Sequence, residues 1–206
     1  MRIEKLELII IEEFFVGFER LKRAPLENAR GQKIFEYENK LIETRNFNFN
    51  DVLPTTCYAL FDNLSFQTEL RTKLNTSFGI ELFDLPGIVY LKINGVVKGL
   101  VPPFVERYTE PGLGNEAILT LQDGTHRFMV ARKFGLPIKC IFIDNINAHQ
   151  SFLPYALPNS WREIMIYDRP PKNKKKYRRV DKYSFMRPLS AIFNKEIVSD
   201  WADYGR

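Results

Sequence analysis

Hydrophobic positions near the start of the chain follow first a strand-like and then a helical spacing. Residues 6–11 form an apolar run that predicts a buried strand. Apolar residues at helical spacing over 14–21 predict a helix that ends before Pro25. A second helix is predicted over 26–43, although Gly31 weakens it.

The pattern is weaker in the stretch that follows. Asn and Phe alternate over 46–50, which indicates a turn or a short edge strand. Ser65 is suited to cap a helix over 66–74. Residues 1–85 contain no functional motif, and we interpret them as an N-terminal α/β elaboration of the same domain as the residues that follow.

A β-hairpin is predicted in the middle of the chain. Strand-forming residues over 88–93 are followed by Asn94 and Gly95, which both accept positive φ, and then by two valines. The alternative is a helix that ends at Gly95 or Gly99. The turn chemistry favours the hairpin.

Two prolines separate the hairpin from the next elements. Pro102 and Pro103 begin a new segment over 104–108. A loop rich in Gly and Pro then covers 110–115, and an apolar run over 117–122 predicts another strand.

The best-defined pattern is a strand, a loop, a helix and a second strand. The strand over 117–122 is broken at 123–124, and Thr125 is suited to cap a helix with an apolar face. Gly135 is a natural helix stop, and a second strand is predicted over 138–143.

The loop of this unit contains residues suited to binding phosphate. The N-terminus of a helix offers unpaired N–H groups and a positive dipole end, and Gly124 leaves the backbone open to approach. Arg127 provides a planar fork for two phosphate oxygens. His126 can donate to phosphate, and nearby negative charge would favour its protonated form. Asp123 can orient His126 or a metal-bound water, and Thr125 adds a hydroxyl.

Each of these residues also has an ordinary structural explanation. Asp-Gly before a helix is common and Thr is a routine N-cap. Arg127 can be a surface residue and His126 a structural one. Their combination after a strand and before an amphipathic helix favours a functional loop.

Composition predicts a folded protein without a membrane partner. Of the 206 residues 45% are hydrophobic and 14% aromatic, enough for the core of one domain. No apolar stretch is long enough to span a bilayer and no signal peptide is apparent, so we expect a cytoplasmic protein. Cys57 and Cys140 lack metal-ligand spacing, and we expect two isolated buried thiols.

The net charge of +5 is concentrated in a basic run over 169–179. Such a run can contact the phosphate backbone of DNA or RNA, or it can be a solvated loop. Aromatic residues within and just after it favour unpaired bases. The candidate nucleic-acid-binding residues are Lys172, Lys174, Lys175, Lys176, Arg178 and Arg179.

The loop and its surroundings resemble a known family. Residues 121–127 read Leu-Gln-Asp-Gly-Thr-His-Arg, with Ala131 and a Gly-Leu-Pro-Ile segment at 135–138 behind them. This is similar to the D-G-x-H-R loop and helix of the ParB/sulfiredoxin superfamily. The family usually has a proline-containing strand before the loop, and residues 101–105 match it. The likeness covers roughly residues 90–145.

The resemblance implies a nucleotide site. Members of the superfamily bind nucleotide phosphates with this loop: some hydrolyse CTP in chromosome partition, some phosphorylate a hydroxyl, and sulfiredoxins activate a sulfinic acid with ATP. It implies that Gly124, Thr125, His126 and Arg127 hold the phosphates of ATP, ADP or CTP with Mg²⁺.

The sequence departs from two branches of the family. Sulfiredoxins have a reactive cysteine where this chain has Thr125, which excludes their chemistry. Partition proteins usually have an arginine-rich loop and a helix-turn-helix domain behind it, and neither is present. Phosphoryl transfer to a hydroxyl remains compatible, with Asp123, His126 and Glu106 as candidate catalytic residues; the two carboxylates are candidates for base or metal ligand.

We therefore predict an α+β fold with a ParB/sulfiredoxin-like mixed sheet around the phosphate-binding unit. The core is expected over 86–168, and 169–206 form a basic C-terminal region. The first hypothesis is a nucleotide-dependent phosphotransferase that acts on a small molecule or a modified nucleic-acid base. The alternatives are a nucleotide-gated DNA- or RNA-binding module and a nuclease.

Overall fold

The computed structural model describes residues 2–27, 33–109, 117–146 and 156–172, together with positions 174, 189, 192 and 193. Within these residues the chain forms a mixed α+β fold, as predicted. Its helices are α1 (Phe14–Arg23), α2 (Phe61–Phe78) and α3 (Thr125–Phe134). The first strands are β1 (Leu6–Glu12), β2 (Leu26–Glu27), β3 (Lys33–Ile34), β4 (Ile42–Phe47), β5 (Leu53–Pro54) and β6 (Tyr58–Leu60). The later strands are β7 (Ile88–Ile93), β8 (Val96–Leu100), β9 (Phe104–Thr109), β10 (Ala117–Asp123), β11 (Ile138–Ile146) and β12 (Met165–Tyr167).

The main sheet has the strand order β4-β11-β9-β10-β5. Strand β9 is antiparallel to β10 and parallel to β11. The predicted strand–loop–helix–strand unit of β10, α3 and β11 is therefore confirmed. Its two strands run antiparallel to each other, because β9 between them is antiparallel to β10 and parallel to β11.

The predicted hairpin is also confirmed, and the helical alternative is wrong. Strands β7 and β8 pair as a hairpin, and β1 pairs with β7 to complete a three-stranded sheet. The turn residues Asn94 and Gly95 have φ of 49° and 85°. The Asn94 side chain accepts hydrogen bonds from the backbone N–H groups of Glu4 and Lys5, which ties the turn to the start of the chain.

Strands from the first 85 residues pair with strands from the rest of the chain. β1 joins β7, β4 joins β11, and β5 joins β10. Strands β6 and β12 form a separate parallel pair, and β2 pairs with β3. The boundaries at 85/86 and 168/169 stay predictions.

Two predicted helices need correction. The described residues of the segment 26–43, which are 26–27 and 33–43, are not helical. They include β2, β3 and the start of β4, because Ile42 is buried in the core where β4 pairs with β11. Helix α2 begins at Phe61, so Ser65 lies inside it and does not cap it. In the 46–50 segment, β4 forms an edge strand to residue 47 and a 3₁₀ turn, Phe49–Asp51, follows.

The core lies on both faces of the main sheet. On one face, Leu70 and Leu74 of α2 and Phe128 of α3 pack in a cluster with β9, β10 and β11 residues. On the other face, Leu21 of α1 belongs to a cluster that includes Phe104 of β9. Successive residues of a strand point to opposite faces, so β9 contributes to both clusters. No helix in the described ranges is long and apolar enough to cross a bilayer.

Candidate functional site

The loop at 123–124 is shaped by a close backbone contact. Gly124 has φ of 102°, a left-handed conformation that side chains disfavour. A Cβ atom on Gly124 would lie 2.5 Å from the Cβ of Pro103. The proline segment therefore packs directly on the loop, and only glycine satisfies both the conformation and the contact.

The start of α3 has no side-chain cap. Gly124 is the N-cap residue and Thr125 is the first helical residue, so the prediction that Thr125 caps the helix is wrong. The left-handed Gly124 occupies the cap position, and Thr125 is buried instead. A helix N-terminus without a side-chain acceptor can in general bind an anion through its first N–H groups.

Arg127 points into the protein. It is 8% exposed, and its Nη1 donates a hydrogen bond to the carbonyl of Val101, just before the two prolines. Burial lowers the pKa of Arg127, while the Asp123 carboxylate acts in the opposite direction. The surface alternative for Arg127 is therefore wrong. One guanidinium nitrogen of Arg127 holds the proline segment against α3. That the guanidinium binds two phosphate oxygens stays a prediction.

His126 makes a contact that the sequence did not indicate. The backbone N–H of Leu60 donates to His126 Nε2 at 2.9 Å. Burial lowers the pKa of His126 to about 4, opposed by Asp123 and reinforced by Arg127. His126 is therefore neutral near pH 7, with its proton on Nδ1 because Nε2 is the acceptor.

The Leu60 contact brings two helix N-termini together. Leu60 is the N-cap of α2, and neither α2 nor α3 has a hydrogen bond from a capping side chain. The positive dipole ends of both helices thus lie beside His126. Asp123 supplies negative charge there, since it acts to raise the pKa of both His126 and Arg127.

Glu106 lies on β9 and is fully buried, where it accepts a hydrogen bond from the Tyr37 hydroxyl. In the pairing of β9 with β10, Glu106 is opposite Thr120 and Phe104 is opposite Asp123. A register shift between Leu121 and Asp123 interrupts this pairing, so the regular alternation of faces does not carry over from Glu106 to Asp123.

Sequence reasoning missed two residues of this region. Leu60 was not identified because the predicted start of α2 was at 66, and Tyr37 because it fell in a wrongly predicted helix. The sequence around neither residue indicates its contact, because Leu60 contacts a residue 66 positions away and Tyr37 contacts one 69 positions away.

The basic region begins next to this site. The carbonyl of Lys174 accepts a hydrogen bond from the N–H of Cys57 at 2.9 Å, and Lys172 is exposed. Cys57 precedes β6, whose last residue is Leu60, so Lys174 joins the fold roughly 10 Å along the chain from the His126 contact. Lys175, Lys176, Arg178 and Arg179 lie outside the described residues.

The cysteine prediction is half right. Cys140 is buried, and burial raises the pKa of its thiol. Cys57, just before β6, is partly exposed. In the described part of the chain, no three or more His, Cys, Asp and Glu side chains are grouped as a metal site.

These observations define a class: an α+β protein whose mixed sheet ends at a glycine loop where two uncapped helix N-termini meet. A family model, the ParB CE domain, matches residues 17–165, more than two thirds of the chain. The chain belongs to this ParB-like family, which supports a nucleotide- or DNA-related role. No curated protein and no solved structure gives a significant match. The sulfiredoxin part of the resemblance and the loop motif stay predictions.

Proposed function

We propose that this protein is a nucleotide-dependent phosphotransferase that binds the phosphates of ATP, or of ADP or CTP, at the starts of α2 and α3. The observation that carries the proposal is the hydrogen bond from Leu60 N to His126 Nε2, which brings two uncapped helix N-termini to one loop. Two positive dipole ends side by side repel each other, and a bound anion would offset that repulsion.

The loop residues support phosphate binding in different ways. Gly124 and the first N–H groups of α3 offer backbone donors without a side chain in front of them. His126 can donate through Nδ1, since its Nε2 is occupied by Leu60. Arg127 contributes positive charge from its buried position, and its donors beyond the Val101 contact would meet the phosphates.

The carboxylate of Asp123 is compatible with magnesium. A phosphate close to Asp123 would be repelled unless a cation lies between them. Mg²⁺ typically binds one or two carboxylates together with substrate phosphates and water, so a single half-buried Asp123 matches its needs. When bound, magnesium would neutralise charge on the phosphates.

Asp123 is thus a candidate for either of two roles, metal ligand or base, and of these we propose the base. The oxygen of an acceptor hydroxyl would attack the terminal phosphorus and form a new P–O bond, while the bond to the bridging oxygen breaks. A nucleoside diphosphate leaves when ATP or CTP is the donor, and a nucleoside monophosphate when ADP is. The hydroxyl proton would pass to Asp123, which is more accessible than Glu106. Glu106 on the neighbouring strand β9 accepts a hydrogen bond from Tyr37 and would act as a positioning residue.

Binding is tested first, by calorimetric titration of ATP, ADP and CTP with Mg²⁺. Arg127→Lys keeps a charge and a donor for Val101 but loses the planar fork, so it separates phosphate binding from folding. We expect a fall in affinity of on the order of tenfold for Arg127→Lys. Arg23→Lys, at an 82% exposed position on α1, is the matched control and should bind as the wild type does. Absence of binding by the wild type rejects the proposal.

Transfer is tested with γ-labelled nucleotide and a panel of acceptors: small hydroxyl compounds, nucleosides, and oligonucleotides with hydroxylated bases. Asp123→Asn should lower turnover by on the order of 10²- to 10⁴-fold with unchanged nucleotide affinity. Asp168→Asn, an exposed position, is the control. If Asp123→Asn instead raises the Mg²⁺ concentration needed for half-maximal rate, Asp123 is a metal ligand and not the base.

A second candidate is a nucleotide-gated nucleic-acid-binding module without substantial turnover. The contact between Cys57 N and Lys174 O favours it, because the basic region joins the fold through β6, the strand that leads to His126. Nucleotide-dependent affinity for DNA or RNA, with no transfer to any acceptor, would select this function. The third hypothesis, a nuclease, has no observation in its favour.

A further inference from the structure

We propose that a cleft on the outer side of α3 binds an unpaired base and its phosphates in single-stranded nucleic acid. The cleft has a volume of about 530 Å³ and adjoins a smaller one of about 260 Å³. It is formed by the 3₁₀ turns Phe49–Asp51 and Ser160–Glu163 with the exposed side of α3. It is separate from the 123–127 loop, since Arg132 lies roughly 10 Å further along the helix axis than Thr125.

The cleft is built on a rigid aromatic stack. The rings of Phe49 and Trp161 lie 4.1 Å apart, and Trp161 also stacks on Phe128 of α3 at 5.7 Å. The indole N–H of Trp161 donates to the carbonyl of Val52 at 2.9 Å. Both turns are therefore held in place against α3, and the cleft between them is preformed.

Three cations surround this stack. The guanidinium of Arg132 lies 4.4 Å from the centre of the Phe49 ring, and Lys133 and Arg162 line the same pair of cavities. All three side chains are exposed, and none forms an ion pair with a described residue. The carboxylate of Glu163 accepts from the N–H of Asn159, and that of Asp51 accepts from Asn48.

The backbone at the cleft is strained. Ser160, which lines the cleft, has φ of 55°, a conformation that is uncommon for residues other than glycine and asparagine. Its N–H donates to the carbonyl of Leu157 at 2.9 Å. Strain of this kind concentrates at ligand sites, where the surrounding structure holds it.

These features match one kind of ligand. Unpaired bases stack on aromatic rings and on arginine guanidinium planes, and strand phosphates pair with exposed cations. A guanidinium held over Phe49 offers such a plane, and the exposed amides of Asn50 and Asn159 offer donors and acceptors for base edges. The cleft's volume lies in the range of small-ligand sites, which suits one nucleotide unit of a strand.

The test is fluorescence anisotropy of labelled 12-residue oligothymidylate and oligouridylate with the full chain. Arg132→Gln together with Arg162→Gln should weaken binding by on the order of tenfold per lost contact. The slope of log affinity against log salt should fall by roughly 0.7 for each lost phosphate contact. Arg23→Gln, 82% exposed on α1, is the control and should change neither quantity.

Two further measurements separate this cleft from the basic C-terminal run and from the nucleotide loop. Photocrosslinking of an oligonucleotide with 5-iodouracil should label Phe49, Met129 or Trp161. An oligonucleotide of abasic units should bind the wild type more weakly than an intact strand of the same length. The double variant should bind nucleotide in the calorimetric titration as tightly as the wild type does. An unchanged affinity and salt slope in the double variant, or equal binding of abasic and intact strands, would overturn the proposal. Preference for duplex over single strands would do so as well.

Discussion

Replacement of Gly124 by alanine measures how tightly the proline segment holds the loop at 123–127. The φ of 102° at Gly124 disfavours a side chain by roughly 1–2 kcal/mol. The added Cβ would also meet Pro103 Cβ at 2.5 Å and Cγ at 2.8 Å, and overpacking of this kind typically costs about 1–3 kcal/mol. Gly124→Ala should therefore lower the free energy of unfolding by about 2–5 kcal/mol.

Gly135 provides a matched control at the other end of the same helix. It has φ of 66°, and a Cβ there would meet nothing within 4 Å. Gly135→Ala should therefore show only the conformational cost, roughly 1–2 kcal/mol. The two variants differ in the contact with Pro103, so their difference isolates it.

Equilibrium urea unfolding, followed by far-ultraviolet circular dichroism, measures both variants against the wild type. The urea concentration at the unfolding midpoint should be highest for the wild type, lower for Gly135→Ala and lowest for Gly124→Ala. Equal midpoints for the two alanine variants, with equal slopes, would refute the argument, because they would mean that Pro103 yields without cost.

Three other outcomes can be measured on the same protein. Because burial lowers the pKa of His126 to about 4 from 6.5, the unfolded chain takes up the proton first, so stability should fall as the pH drops from about 6.5 to 4. His126→Gln should remove the part of that dependence that comes from His126, and an unchanged pH profile would mean that burial does not lower the pKa of His126 in the folded chain. Tyr37→Phe should lower the free energy of unfolding by about 1–3 kcal/mol, measured by thermal unfolding, because it removes the hydrogen bond to buried Glu106. An unchanged stability would mean that this hydrogen bond does not stabilise the fold. Asn94→Ala should destabilise by about 1–3 kcal/mol, since it loses hydrogen bonds and places alanine at φ of 49°; hydrogen exchange should show faster opening of the β7–β8 hairpin, and unchanged exchange would contradict this.

The sequence alone predicted correctly those features that depend on residues close together in the chain. The turn at Asn94 and Gly95 needs positive φ at both positions, and few other pairs supply it. The break at Gly124 and the stop at Gly135 depend likewise on glycine in the left-handed region. The strand–loop–helix–strand unit and the α+β class followed from these signals and from apolar spacing.

Tertiary contacts decided the rest of the fold. The segment 26–43 has a pattern compatible with a helix, but the pairing of β4 with β11 makes its end a strand. Strands β10 and β11 are antiparallel because β9, which lies between them, runs antiparallel to β10 and parallel to β11, and no local pattern reports the order or direction of strands in a sheet.

The candidate site divides in the same way. The residue types at 123–127 indicated an anion-binding loop, because a glycine before a helix and nearby cations suit phosphate. What each side chain does in the folded chain depends on distant partners: His126 accepts from Leu60, 66 positions away, and Arg127 donates to Val101, 26 positions away. Such contacts form only when separate elements pack together. The sequence by itself therefore determined which side-chain groups the loop carries, and the tertiary structure decided which partners those groups bind.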